Sequence, residues 1–457
     1  MTSSIRTINP TTGKTEKEFQ PHTSAELNQK IELANEAYQS WRSISFDARK
    51  KIIKAVAAEM RLQKEELARL ITIEMGKPIK ESRIEIDYTA RIFDYYADHA
   101  EEFLKPTAYL SEKGDAYIVS DPIGVLLGVM PWNFPFSQIV RFAAPNLMAG
   151  NTILLKTASN IPQCAQAFED LFTKVNAPQG IYQNLFINGK DTSALVENKH
   201  IKGVSLTGSD AAGASIAKVA GANIKKTVLE LGGTDPMIVL DDADLEKVMG
   251  GTINGRLRNA GQACTSSKRI IVQEEIYNSY IEKVTAYVKQ LKVGNPLEED
   301  TDMGPVSSAS ALQYLLTQVE DSVSKGASLL AGGHQIGTEG FFMAPTILTD
   351  LKPGMKAYDE EVFGPVICII KVKTIEEAIE IANDTAYGLG ASIYSENISL
   401  AQEIARSIES GMVYINKQVS SSPDLPFGGT KRSGYGRELS KEGISEFINK
   451  KLILTSI

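Results

Sequence analysis

Apolar positions recur at helical spacing through the first hundred residues. Leu27, Ile31, Ala34, Ala37, Tyr38 and Trp41 fall on one face, and Ser24 followed by Glu26 or Asn28 supplies a start signal. A second periodic run, Ala48 to Met75, predicts further helix. Gly76-Lys77-Pro78 should end it, since glycine can take the left-handed stop and proline cannot continue. A third helical pattern, rich in aromatics, runs from Ile79 to about Leu104.

The period then changes. Ala116–Val119 reads as a strand and Asp121-Pro122-Ile123-Gly124 as a turn, while Val125–Met130 is the short apolar run of a strand buried on both faces. A helix over about 136–149, a strand over 152–156 and a helix from Pro162 follow. Leu185-Phe186-Ile187 and Gly203–Leu206 are expected to be strands. A second series of strands comprises 236–240, 269–272, 366–370 and 391–394, with a loop-rich stretch over 296–365. Strand–helix alternation at this spacing predicts βαβ units and parallel sheets, in two α/β domains divided near 233.

The 457 residues exceed one ordinary core. A net charge of −8 offers no basic footprint for nucleic acid, so no nucleic-acid partner is expected. No apolar run is long enough to span a membrane, and Met1–Arg6 lacks the apolar core of a signal peptide. Three widely spaced cysteines, Cys164, Cys264 and Cys368, make neither a disulfide framework nor a metal site, and point to the cytoplasm. The four histidines have no local partner, so a general base is expected to be a carboxylate.

The candidate chemistry is in Asn259-Ala260-Gly261-Gln262-Ala263-Cys264 and in Glu230-Leu231-Gly232-Gly233: a thiol nucleophile and a carboxylate base. Read alone, each has a plainer account, Cys264 as a small core hydrophobe and Glu230 as a loop acid. Two turns offer anion sites. Thr207-Gly208-Ser209-Asp210-Ala211-Ala212-Gly213 opens a helix after a strand, and Lys156 ends another strand, where open parallel sheets hold ligands.

Six segments in order resemble the aldehyde dehydrogenase superfamily. They are Pro131–Pro135 (PWNFP), Gly150–Lys156, Glu230–Gly233, Gly261–Cys264, Glu360–Pro365 (EEVFGP), and Pro426–Gly429 with Ser433-Gly434. The resemblance implies a Rossmann-type cofactor domain (1–232), a catalytic α/β domain (233–435), and a C-terminal return (436–457). A small β extension using 105–122 would join a homodimer or homotetramer. It further implies that Cys264 attacks an aldehyde, Asn133 holds the oxyanion, and Glu230 activates water. Pro131, Trp132, Lys156, Ser159, Gly208, Ser209, Gly213, Leu231, Glu361 and Phe363 would contact the cofactor, and no metal is implied.

Many NAD-preferring members carry a glutamate three residues after the lysine; here it is Ser159. A hydroxyl beside Lys156 can donate to a 2′-phosphate, so NADP is expected, with NAD also accepted. Arg141, Arg258 and Ser421 are similar to the residues that grip the distal carboxylate in succinate-semialdehyde dehydrogenases, with Arg256 a rival for Arg258. Cys264-Thr265-Ser266 lacks the second cysteine of a disulfide switch. The expected reaction is NAD(P)-dependent oxidation of succinate semialdehyde, an intermediate of 4-aminobutyrate breakdown, without CoA. The alternatives are a glutarate-semialdehyde or broad-range dehydrogenase, or a non-enzymatic member of the fold.

Overall fold

Two parallel sheets organise the chain, each built outward from a central apolar strand. In the computed structural model, which describes residues 5–456, Val125–Met130 pairs parallel with Thr152–Thr157 on one side and Ile201–Thr207 on the other. Tyr182–Asn184 and Lys226–Glu230 extend this sheet in opposite directions, and Gly434–Tyr435 closes its edge antiparallel to Lys226–Glu230. Strands added on both sides of Val125–Met130 create a topological switch, where such sheets open a crevice.

The second sheet repeats the plan around Pro236–Val239. Arg269–Gln273, Val366–Val372 and Thr346–Thr349 follow on one side, Gly390–Tyr394 and Met412–Ile415 on the other, all parallel. Ser328–Ala331 adds an antiparallel outer strand. A third, antiparallel sheet sets Asp115–Pro122 between Thr107–Tyr109 and Ile448–Thr455. The chain leaves the first sheet at Glu230 and enters the second at Pro236. The carboxyl edge of one sheet therefore meets the amino edge of the other across five residues of backbone, Leu231–Asp235.

Several boundaries differ from the sequence reading. The first helix, Ser24–Trp41, is capped by Thr23, whose side chain and Glu26 form a reciprocal box. The run expected from Ala48 is two helices, Phe46–Leu62 and Lys64–Met75. They are separated at Gln63 (φ −95°, ψ 15°), where the buried face continues through Met60, Leu67 and Ile71 and hides the break. Gly76 does take the left-handed stop, φ 81°. The strand before the expected Asp121–Gly124 turn runs on to Pro122, because Ile448–Thr455 pairs with it along its whole length.

Leu185–Ile187 is not a strand. The pairing segment is Tyr182–Asn184, and Leu185 makes one last bond to Leu155 O (2.7 Å) before the chain turns away. The stretch expected to be loops, 296–365, holds the Ala309–Ser324 helix, with Leu312, Leu315 and Val319 buried, and two strands of the second sheet. Flanking glycines and prolines mask it in the sequence. Met1–Ser4, the first part of the Met1–Arg6 stretch expected to lack a signal peptide's apolar core, and Ile457, within the expected C-terminal return, lie outside the described residues.

Candidate active site

The thiol loop is a helix that unwinds by stages. Leu245–Thr252 passes into one π turn, Ile253–Leu257, and then a tight turn, Arg258–Gly261, where Asn259 (φ 54°), Ala260 (φ 51°) and Gly261 (φ 73°) are all left-handed. Such conformations cost about 1–3 kcal/mol each for non-glycine residues and persist only where surroundings enforce them. Here they do. Asn259 N–H donates to Glu81 Oε2 (3.0 Å), and its side-chain amide donates to the carbonyls of Asn133 (3.0 Å) and Gln262 (3.1 Å). Gln262 returns two bonds to Asn259 O, both 3.1 Å, and accepts from Ser307 N–H at 2.9 Å. A side chain at Gly261 would lie 2.2 Å from Gly364 O, so only glycine fits between the two loops.

Cys264 sits at the end of this loop and is the one cysteine of the three that is not fully buried. Burial pushes its thiol up to about 12. Lys268 and Arg141 pull the value down, and Asp235 and Glu361 oppose them. A thiol so placed stays protonated at neutral pH unless a base takes its proton.

Asn133 follows the central strand at its carboxyl end. The Pro135–Ala149 helix behind it is seated by Glu85, whose Oε1 accepts from the N–H groups of Phe136 (3.0 Å) and Ser137 (3.2 Å) and whose other oxygen pairs with buried Lys77. A carboxylate there offsets the positive end of the helix dipole. The Asn133 amide is buried and donates to Gln262 O (3.1 Å), which binds the oxyanion candidate to the thiol loop. Glu230, 2% exposed, ends its strand with neither carboxylate oxygen hydrogen-bonded among the described residues. Burial lifts it well above the ordinary carboxyl range; Glu438 adds to this and Arg141 opposes it. A side chain at Gly428 would meet Glu230 Oε1 at 2.6 Å, so the closing glycine segment is the wall against which this carboxylate rests.

The two arginines occupy unlike settings. Arg141, 6% exposed, lies on the Pro135–Ala149 helix, stacks over Phe427 (3.8 Å to the ring centre) and pairs with Glu438 at 2.5 Å. Its field reaches Tyr88, Glu230 and Cys264, and the Tyr88 hydroxyl faces Ser421. Arg258 is 42% exposed at its side chain, 3.8 Å from Glu81 and 5.7 Å from the centre of Phe134. The rival, Arg256, is fully buried. It donates to Val366 O (2.7 Å), Val362 O (2.9 Å), Gly261 O (3.2 Å) and Ser266 Oγ (2.7 Å), so its fork is committed to holding loops together.

On the other side of the thiol loop, Trp132 and Phe363 meet edge to face at 5.9 Å, and Pro131 joins Trp132 to the central strand. Glu361 accepts from Gly233 N–H (3.0 Å) and pairs with Lys268 (3.1 Å). Lys156, one residue before the end of its strand, has no ion-pair partner among the described residues, its ammonium disfavoured by burial, and Ser159 lies exposed just beyond. A cation with no counter-ion among the described residues, followed three residues on by an exposed hydroxyl, fits an incoming phosphate. Ser209 caps the Asp210–Ala222 helix through Ala212 N–H (3.3 Å). Gly208 is uncrowded, since a side chain there would come no nearer than 3.7 Å, to Leu206. Gly213 has a packing reason instead: a side chain there would strike Leu231 at 2.6 Å.

Lys268, Glu438, Tyr88 and Glu81 belong to this cluster and escaped the sequence reading. Glu438 alone had a local signal, standing four residues past Gly434 in the closing glycine segment. Among the described residues no group of three His, Cys, Asp or Glu side chains could hold a metal, and no helix is long and apolar enough to cross a membrane.

A thiol, a buried amide and a buried carboxylate gathered at the carboxyl edge of a parallel sheet with a topological switch fit an aldehyde-oxidising class of site, and the chain belongs to the aldehyde dehydrogenase family, whose model matches residues 1–453. Within that family it is 45% identical to the NADP(+) succinate-semialdehyde dehydrogenase of Deinococcus radiodurans, over 98% of this chain and 94% of that one. It is 44% identical to a probable NADP(+) succinate-semialdehyde dehydrogenase of Synechocystis, over 98% and 99%. Among solved structures, succinic semialdehyde dehydrogenase from Streptococcus pyogenes in complex with NADP+ is 44% identical, with a TM-score of 0.97 over 99% of this chain and 100% of that chain.

Proposed function

We propose that this chain oxidises succinate semialdehyde to succinate with NADP, through a covalent thioester on Cys264. The observation that carries this reading is Arg141: a buried guanidinium whose field reaches both the thiol and the carboxylate base. A desolvated cation in a reaction pocket favours an anionic substrate, and guanidinium matches carboxylate geometry. Arg141 would take the distal carboxylate with Ser421 and Tyr88 beside it, and Arg258 would assist from the mouth.

Glu230 removes the Cys264 proton, and sulfur adds to the aldehyde carbon. The resulting oxyanion accepts from the Asn133 amide and the Cys264 N–H; losing one such donor commonly costs roughly 10²–10³ in rate. NADP, when bound, accepts the hydride that leaves this carbon. Once Glu230 has released the thiol proton to solvent, it takes a proton from the water that adds to the thioester, and succinate is freed as the Cys264 sulfur leaves; a raised carboxyl pKa suits it to this role. Lys156, Ser159 and the Gly208–Ser209 turn would hold the adenosine end. Trp132, Pro131, Leu231, Glu361 and Phe363 would border the nicotinamide end, with Gly213 packed behind Leu231.

Residues 1–232 would form the cofactor domain, 233–435 the catalytic domain and 436–457 the return. The enzyme would act in the cytoplasm as a homodimer or homotetramer, in 4-aminobutyrate breakdown. Steady-state kinetics on aldehydes with and without a terminal carboxylate, with NADP and NAD, test the reading. Succinate semialdehyde with NADP should give the highest kcat/KM, and equal values for butanal would end the anionic-substrate assignment. Cys264→Ala should abolish NADPH production and leave NADP binding intact; retained turnover would remove the thioester.

A further inference from the structure

Lys268 is the least expected charge in the molecule. Its side chain is 1% exposed, yet it stands four residues after Cys264, beside the reaction chemistry, in a sequence with no motif to mark it. Its ammonium donates to the carbonyls of Ala263 (2.9 Å) and Cys264 (2.6 Å) and pairs with Glu361 Oε1 at 3.1 Å; the Phe363 ring centre is 5.8 Å away. Asp235 presses on it from the turn between the sheets, its own carboxyl pushed up to about 7 by burial against the pull of Lys268.

Anchoring the loop does not explain a buried ammonium, because Arg256 already does that through four neutral acceptors. Removing a cation from water carries a large desolvation penalty, and one shared carboxylate with two carbonyls offsets it incompletely. What Lys268 adds over Arg256 is charge at the backbone of the nucleophile itself. The charges acting most strongly on Cys264 are Lys268 from its own loop, Arg141 from the Pro135–Ala149 helix, Asp235 from the sheet junction and Glu361 from the loop before Val366–Val372, and Glu230, its proposed base, shares the field of Arg141 with it. Lys268 is the largest favourable one.

We propose that Lys268 is a positioning residue that ties the nucleophile to the cofactor carboxylate. One ammonium fixes the Cys264 carbonyl, supplies the main local charge favouring the thiolate, and holds Glu361. The inference rests on the assignment of Cys264 as nucleophile and adds a residue through which that thiol is tuned.

The test is the pH dependence of iodoacetamide alkylation of the full-length enzyme without cofactor, with mass spectrometry to confirm Cys264 as the site. Lys268→Met should move the titration midpoint upward, slowing alkylation near neutral pH roughly tenfold, as loss of a nearby opposite charge does. The limiting rate at high pH should be unchanged. Lys268→Arg should restore most of the wild-type profile. Glu361→Gln, which keeps the ammonium and removes its counter-charge, should alkylate faster than wild type, and this arm stands if Lys268→Met does not fold. Superimposable profiles for wild type and Lys268→Met, or slower alkylation of Glu361→Gln, would overturn the proposal. Wild-type enzyme that stays active after complete Cys264 alkylation would instead overturn the nucleophile assignment.

Discussion

Arg141 and Arg258, the two arginines proposed to meet the substrate carboxylate, carry the same charge, and their surroundings make them different tools. Arg141 is enclosed by a helix, an aromatic ring and the Glu438 carboxylate, so its charge acts in a medium that screens it little. Arg258 is half-exposed, with Glu81 too distant for a close pair. Identical side chains differ here in what their removal leaves behind: Arg141 would abandon two buried carboxylates, Glu438 and Glu230, whereas Arg258 would abandon one. The lesson is that a charge's worth is set by the cost of its absence.

The largest expected effect follows from that difference. Arg141→Met should lower kcat/KM for succinate semialdehyde by roughly 10²–10³ and cost about 3–5 kcal/mol in denaturant unfolding, because Glu438 loses its counter-ion. If stability is unchanged, the contrast between the two arginines fails. Next comes Glu438→Gln. Removing its charge relieves repulsion on Glu230 and leaves Arg141 freer to stabilise the Glu230 carboxylate, so the Glu230 pKa falls. Thioester hydrolysis rises as this base loses its proton, so the limb of kcat against pH should move to lower pH; a limb moving upward would reverse the sign. The smallest effect belongs to Arg258→Met: KM should rise by roughly tenfold or less, with stability within about 0.5 kcal/mol. A loss matching that of Arg141→Met would erase the distinction.

How far the sequence reached follows the same division between local and distant. Val125–Met130 and Gly76 were legible because an apolar run and a stop glycine carry their meaning within a few residues. The thiol, Glu230 and Asn133 were legible through ordered motifs. Lys268, Glu81 and Tyr88 were not, because each acquires its role from groups far along the chain. Glu81, for instance, holds Asn259 across five strands of the first sheet. Leu185–Ile187 misled because its apolar text is as strand-like as Tyr182–Asn184, and only parallel pairing with Thr152–Thr157 decides between them. Arg256 and Arg258 could not be told apart by spacing, since both precede Cys264; the π turn between helix and loop turns one inward and leaves the other at the surface.

The short strand Gly434–Tyr435 has a consequence for how the protein comes into being. It covers the edge of Lys226–Glu230, yet it is separated from that edge by the whole second sheet in the order of synthesis. A nascent chain emerging from the ribosome can assemble five strands of the first sheet early, but Lys226–Glu230 then waits as an open edge, the kind that pairs with other chains. Gly428, the wall behind Glu230, and Glu438, the partner of Arg141, arrive only in that same final segment. Synthesis halted before it would leave a sticky and inert intermediate, so competence is withheld until the segment that follows the second sheet is made.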